Sequence, residues 1–116
     1  MPTVRQQLRA RLQRGETIVA PGAYDPISAR VVQSLGFPAV YTGGYITGAH
    51  TTITEPLLGL TDQVEVAQKV VRAVDFPAIA DAGTGFGDPL HVMRCVREFE
   101  TAGIAGIHIE DQVYPK

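Results

Sequence analysis

Two periods of apolar residues alternate along this chain. Val4, Leu8 and Leu12 recur at helical spacing between Thr3, a capping residue, and Gly15, which predicts a first helix. "TIVAPGAY" follows as a near-continuous apolar run into a turn, the mark of a buried strand. Asp25 and Pro26 suit the opening of a second helix that carries Ile27, Val31 and Leu35 and stops at Gly36. "PAVYTGG" is a second short strand ending in glycines, and residues 43–60 read as a long polar connection rich in Gly and Thr. Thr61 then caps a third helix with Val64, Ala67, Val71 and Val74 on one face. "PAIAD" is the third strand. Asp88 and Pro89 open a fourth helix with Met93, Val96 and Phe99 inward, Gly103 closes it, and "AGIHIED" is the fourth strand.

Strands and helices that alternate in this way are parallel βα units, so the fold class is α/β. Two architectures fit: a (β/α)₈ barrel and an open doubly wound sheet. Length separates them only partly. A complete barrel takes about 250 residues, whereas 116 residues supply four strands and no helix after the last. The expectation is one domain over residues 1–116, the first half of a barrel, either truncated from a longer protein or paired with a second half. Alone, such a half exposes a sheet edge and an apolar face, and is expected to self-associate.

The net charge of −2 gives no argument for nucleic acid or for an anionic membrane as partner. Arg5, Arg9, Arg11 and Arg14 concentrate in the first segment and read as a solvated helix face. No apolar stretch has bilayer length, and the N-terminus has no signal-peptide core. A single cysteine, Cys95, allows no internal disulfide and fits the cytoplasm; its mid-helix position reads as packing.

The chemistry gathers at the strand ends, where parallel βα folds bind ligands. The third strand ends on Asp81 and the fourth on Glu110 and Asp111. Neighbouring strands lie about 4.8 Å apart, so Asp81 and Glu110 can share one centre. Two carboxylates there call for a cation between them, and a hard one with oxygen ligands, Mg²⁺, answers the need. Equally, Asp81 can cap the following turn and Glu110 pair with a basic residue; spacing does not choose. "GTGFGD" lacks a P-loop lysine and is a glycine turn ahead of the helix. "TGGYITG" is a flexible connector or a donor loop for a carboxylate, its place after a strand favouring the donor reading. By alternation His108 shares the face of Glu110 and points inward, as a core histidine before a catalytic one. His91 is expected to be exposed, and His50 is not assignable.

"PGAYDPISARVVQSLGFPAVYTGG", "DAGTGFGD" and "GIHIEDQVYPK" together resemble the isocitrate lyase/phosphoenolpyruvate mutase superfamily, in order and spacing over nearly the whole chain. The resemblance implies a (β/α)₈ barrel that assembles as a homo-oligomer, commonly a tetramer, and that uses Mg²⁺ on small 2-oxo or 2-hydroxy acids. The superfamily cleaves 2-methylisocitrate, isocitrate or dimethylmalate, decarboxylates or hydrolyses oxaloacetate, or forms phosphonates. An enolate of a pyruvate-like unit is the shared step. By position, Asp81 matches the main metal carboxylate and Glu110 an acid that holds metal-bound water. Thr42, Gly43 and Gly44 match a Ser-Gly-Gly stretch whose N–H groups bind substrate carboxylate, with Tyr41 ahead of it. Lys116 matches the lysine that opens the lyase motif.

The sequence departs from that pattern in three places. An Asp-x-Asp pair is here Asp81-Ala82-Gly83. The acid after a proline in the second βα loop is here Leu57, after Pro56, and the adjacent Glu55 is expected to point elsewhere. The 116 residues end at Lys116, before the position at which the cysteine of the lyase motif would appear. Three readings follow: a Mg²⁺-dependent carbon–carbon lyase, a divergent decarboxylase, hydrolase or phosphonate-forming enzyme, and a metal-poor binding or assembly subunit.

Overall fold

The computed structural model describes residues 1–114. Helices start where a side chain can take up the free N–H groups of a first turn. Thr3 Oγ1 accepts from the Gln6 N–H, and the Gln6 side chain accepts from the Thr3 N–H, opening α1 (Val4–Gln13). Asp25 and Ser28 make the same reciprocal pair ahead of α2 (Pro26–Ser34). Asp88 accepts from the Leu90 and His91 N–H groups ahead of α5 (Pro89–Thr101). Only α4 (Leu60–Ala73) departs from the expected cap. It begins at Gly59, whose N–H donates to Asp62 at 2.8 Å, so Thr61 lies inside the helix.

The sheet is parallel, with β1 (Val40–Thr42), β2 (Ala78–Asp81) and β3 (Gly106–His108) in chain order. "TIVAPGAY" does not form the expected regular strand. It touches β1 through a single bridge at Gly22, with the Tyr41 N–H donating to Pro21 O and the Ala23 N–H to Tyr41 O. Pro21 has no N–H to extend that ladder. Counting this bridge, four successive segments add in one direction without the reversal that marks a doubly wound sheet.

The connection at residues 43–60 holds α3 (Gly44–Thr51) and a 3₁₀ turn at Glu55–Leu57. The buried positions of α3 are Gly44, Thr47 and Gly48, small residues that leave no apolar stripe to detect. The Thr47 and Thr51 hydroxyls donate to carbonyls four residues back, Gly43 O and Thr47 O.

One sheet face, Val40, Ala78 and Ala80, packs under Ala29 and Val32 of α2, Ala67 and Val70 of α4, and Cys95 and Phe99 of α5. Small side chains on the strands let the helices sit close. This overturns two expected faces. Ile27, Val31 and Leu35 are 75%, 52% and 70% exposed, because α2 turns Ala29 and Val32 to the sheet. On α5, Phe99 is inward as expected, but its partner is Cys95 one turn earlier, and Met93 and Val96 lie outside that stripe. Leu12 is also exposed. The basic first segment is used locally: Arg11 and Arg14 pair with Glu16, and Arg5 Nε donates to Ile104 O at 3.1 Å. Among the described residues no helix is long and apolar enough to cross a membrane.

The register sets the opposite face. Tyr41 stands beside Ile79, and Asp81 beside His108, so Tyr41, Ile79, Asp81 and His108 share it.

Candidate active site

Asp81 ends β2 and is only 6% exposed. A carboxylate this buried requires hydrogen-bond partners. Its Oδ1 accepts from the Gly83 N–H at 2.8 Å and its Oδ2 from the Gly44 N–H at 3.1 Å. His108, its register partner, brings Nδ1 to 3.9 Å from Oδ1. Tyr41 stacks on the His108 ring, with centroids 5.4 Å apart and planes inclined by 16°, and its hydroxyl shares a hydrogen bond with His108 Nε2. Half-exposed, His108 is thus a member of the polar cluster, not the core histidine expected from alternation. Burial, and after it the Asp81, Glu110 and Glu55 carboxylates, push the Tyr41 hydroxyl up to about 12. Tyr41 is therefore a hydrogen-bonding phenol near neutral pH, not a base.

Glu55 is the main correction to the sequence reading. It does not point away. An ideal Cβ on Gly44 would meet Glu55 Oε1 at 2.6 Å and Asp81 Oδ2 at 2.9 Å, so both carboxylates converge on the space a side chain at 44 would need. The 3₁₀ turn delivers Glu55 there and leaves Leu57 74% exposed. The Glu55 carbonyl accepts from the Tyr114 hydroxyl at 3.0 Å.

Glu110 follows β3. Its N–H donates to Gly83 O at 2.8 Å, and its carboxylate accepts from the Gln112 side chain. It borders a cleft of about 810 Å³ lined also by Thr84, Phe86, His91, Arg94 and Tyr114. Asp81 and Glu110 are therefore tied through one residue, Gly83, and both act on Tyr41.

The other expected site residues separate. Thr42 is buried on the helix-facing side of β1. Gly43 is the N-cap of α3, and the Gly44 N–H is given to Asp81. Lys116 lies outside the described residues. His91, exposed as expected, places Nδ1 2.9 Å from Asp88 Oδ1. His50 contacts the Tyr24 ring. Cys95 is buried, which pushes its thiol up to about 11 and leaves it a packing residue.

Among the described residues no three His, Cys, Asp or Glu side chains stand together at metal-ligating distances. Mg²⁺ does not require such a cage: it keeps several waters and takes one or two carboxylates. Asp81 offers that. Each of its oxygens accepts one N–H and retains a second lone pair. With Glu55 converging beside it, the donors are all oxygen and anionic, which fits Mg²⁺.

Sequence reasoning missed Glu55 and the Tyr41–His108 contact. Two signals were available: a run of small residues at 43–48 able to admit carboxylates, and the register of Asp81 with His108.

The family model described as phosphoenolpyruvate phosphomutase matches residues 8–116. A probable 2-methylisocitrate lyase 2 of Corynebacterium glutamicum is 44% identical over 119 residues, covering 99% of this chain and 38% of that protein. The 2,3-dimethylmalate lyase of Eubacterium barkeri is 47% identical over 113 residues, covering 95% of this chain and 39% of its own length. Among solved structures, phosphonopyruvate hydrolase in complex with oxalate and Mg²⁺ superposes with a TM-score of 0.94 at 31% identity, covering 99% of this chain and 41% of that one. The chain thus spans about two fifths of the length of the proteins it matches.

Proposed function

The chain belongs to the phosphoenolpyruvate phosphomutase family, and from that premise we propose that it supplies the first βα units of a (β/α)₈ barrel lyase. The reaction proposed is Mg²⁺-dependent cleavage of a carbon–carbon bond in a 2-hydroxy or 2-oxo di- or tricarboxylate, through an enolate of a pyruvate-like unit. The observation that carries it is Asp81: a buried carboxylate at a strand end, held by two N–H groups, with Glu55 converging on it and Glu110 tied to the same turn.

Asp81, Glu55 and Glu110 would hold Mg²⁺, directly or through water. When bound, the ion supplies a Lewis acid for charge that develops on substrate oxygens. The chain's own residues do the rest. Tyr41, still protonated at neutral pH, offers a hydrogen bond beside the carboxylates and is oriented by His108. The Gly44 N–H bond keeps Asp81 in place at the start of α3. Lys116 and the residues after it would provide the proton transfer.

Calorimetry on the full-length protein tests this reading with oxalate, an enolate mimic, in the presence and absence of Mg²⁺. The expected result is oxalate binding that needs Mg²⁺, with cleavage of 2-methylisocitrate, isocitrate or dimethylmalate. No metal-dependent binding rejects it.

The backbone match to a phosphonopyruvate hydrolase and the glycine at 83 favour a second reading, a hydrolase or decarboxylase on the same fold. Release of carbon dioxide or acetate from oxaloacetate, without cleavage of the branched acids, would select it. If Asp81→Ala left metal affinity and every activity unchanged, a binding or assembly subunit would replace both readings.

A further inference from the structure

The segment between β2 and α5 has a construction that the proposed chemistry does not explain. Gly83 has φ +54, a left-handed turn that aims its N–H and its C=O at two different neighbours. The N–H donates to Asp81 Oδ1 at 2.8 Å, and the C=O accepts the Glu110 N–H at 2.8 Å. One residue therefore joins the two acids that end β2 and follow β3.

Phe86 lies over that residue. An ideal Cβ on Gly83 would meet Phe86 Cζ, Cε2 and Cε1 at 3.6 to 4.0 Å, so the tip of the ring stands over Gly83 on the side a side chain would take, one methyl group away. Phe86 itself has φ +62, a left-handed conformation that costs a bulky residue energy and persists only where packing enforces it. The enforcement is visible on both sides. An ideal Cβ would collide with Val92 Cγ2 on Gly85 and meet His91 Cβ at 2.6 Å on Gly87, so the backbone flanking Phe86 is pressed onto α5. Phe86 is itself partly buried and packs against the core.

We propose that Phe86 is a positioning residue: its ring, held in a left-handed backbone, covers the side-chain face of Gly83, confines that residue and so sets the spacing between Asp81 and Glu110. As a metal-site statement it rests on the proposed function; as a statement about the turn it does not. The glycine at 83 then has a physical reason. The residue gives up a side chain and its backbone holds Asp81 and Glu110 in register.

The test compares Phe86→Ala, Phe86→Tyr and Phe76→Leu in the full-length protein. Phe76 is a partly buried phenylalanine packed against the core and sits ahead of β2, outside the turn that holds Gly83, so it reports general destabilisation. Backbone amide hydrogen exchange without metal is read first. Phe86→Ala is expected to speed exchange at the Gly83 and Glu110 amides by about tenfold or more while the β1–β2 ladder stays protected. Phe86→Tyr keeps the ring and should behave as wild type, and Phe76→Leu should leave both amides protected. Mg²⁺-dependent oxalate affinity is read second, with a loss of about tenfold or more for Phe86→Ala, the size expected when an outer-shell support is removed. Unchanged amide protection in Phe86→Ala, or equal loss in Phe76→Leu, overturns the clamp. Faster exchange at both amides in a protein that binds no Mg²⁺ at all would keep the clamp and reject the lyase reading alone.

Discussion

Gly44→Ala separates stability from metal binding, and the structure sets both magnitudes. Gly44 is the first residue of α3, where alanine is the better helix former and gains about 0.5–1 kcal/mol. Against this, the new methyl would sit 2.6 Å from Glu55 Oε1 and 2.9 Å from Asp81 Oδ2. The Glu55 carboxylate is the end of a flexible side chain and can swing aside for about 1 kcal/mol. Asp81 cannot, since the Gly83 N–H holds its other oxygen. Stretching its bond from Gly44 forfeits part of the about 1.5–3 kcal/mol that a charge-assisted hydrogen bond is worth. The terms nearly cancel, so thermal unfolding of the full-length variant should stay within about 2 kcal/mol of wild type. Binding has no compensating term. A methyl between the two carboxylates should lower Mg²⁺ affinity about tenfold to a hundredfold by calorimetry. Gly59→Ala is the control, its ideal Cβ meeting only Asp62 Oδ2 at an ordinary 3.6 Å. Wild-type Mg²⁺ affinity in Gly44→Ala would refute the idea that Glu55 and Asp81 act together.

Three further outcomes are expected. In a spectrophotometric titration at alkaline pH, Tyr41→Phe should remove the phenol that ionises near 12; because its value is raised by folding, the stability it carries is present below the ordinary tyrosine range and fades as pH climbs toward 12. The Ser28 N–H and hydroxyl hold Asp25 below the usual carboxylate range, and the His91 side chain, then its N–H, does so for Asp88, so their contribution is present at neutral pH and lost as acid protonates them. The double variant Asp25→Asn, Asp88→Asn keeps both caps, and urea melts across a pH series should show a shallower loss of stability below about pH 4. Cys95, buried and shifted up to about 11, should escape iodoacetamide in the native protein and react once unfolded, as read by mass spectrometry of its peptide.

Much of the fold is legible in local chemistry. Thr3, Asp25 and Asp88 announce helix starts because a cap is an interaction between residues two or three apart, and all three form as the spacing predicts. The runs around Val40, Ala78 and Ile107 announce parallel strands by being apolar on both faces. Local pattern fails where packing decides. Ile27, Val31 and Leu35 form the stronger stripe on α2, yet Ala29 and Val32 meet the sheet, since closeness to an alanine-lined strand outweighs hydrophobicity. Residues 44–51 form a helix with no stripe at all, because small buried residues leave no period.

The site divides in the same way. Asp81 and Glu110 were legible as strand-end acids, since the carboxyl ends of parallel strands are where a βα fold gathers its polar groups. Glu55 was not. It lies 26 positions from Asp81 in the chain, and only the docking of α3 and its 3₁₀ turn brings the two carboxylates to Gly44. By itself the sequence determined the parallel α/β class, the helix caps at Thr3, Asp25 and Asp88, and the position of Asp81 at a strand end, all legible in patterns among near neighbours in the chain. Tertiary structure alone decided which acid joins Asp81, which faces are buried and what holds the turn at Gly83, because those depend on surfaces that meet only after the chain has folded.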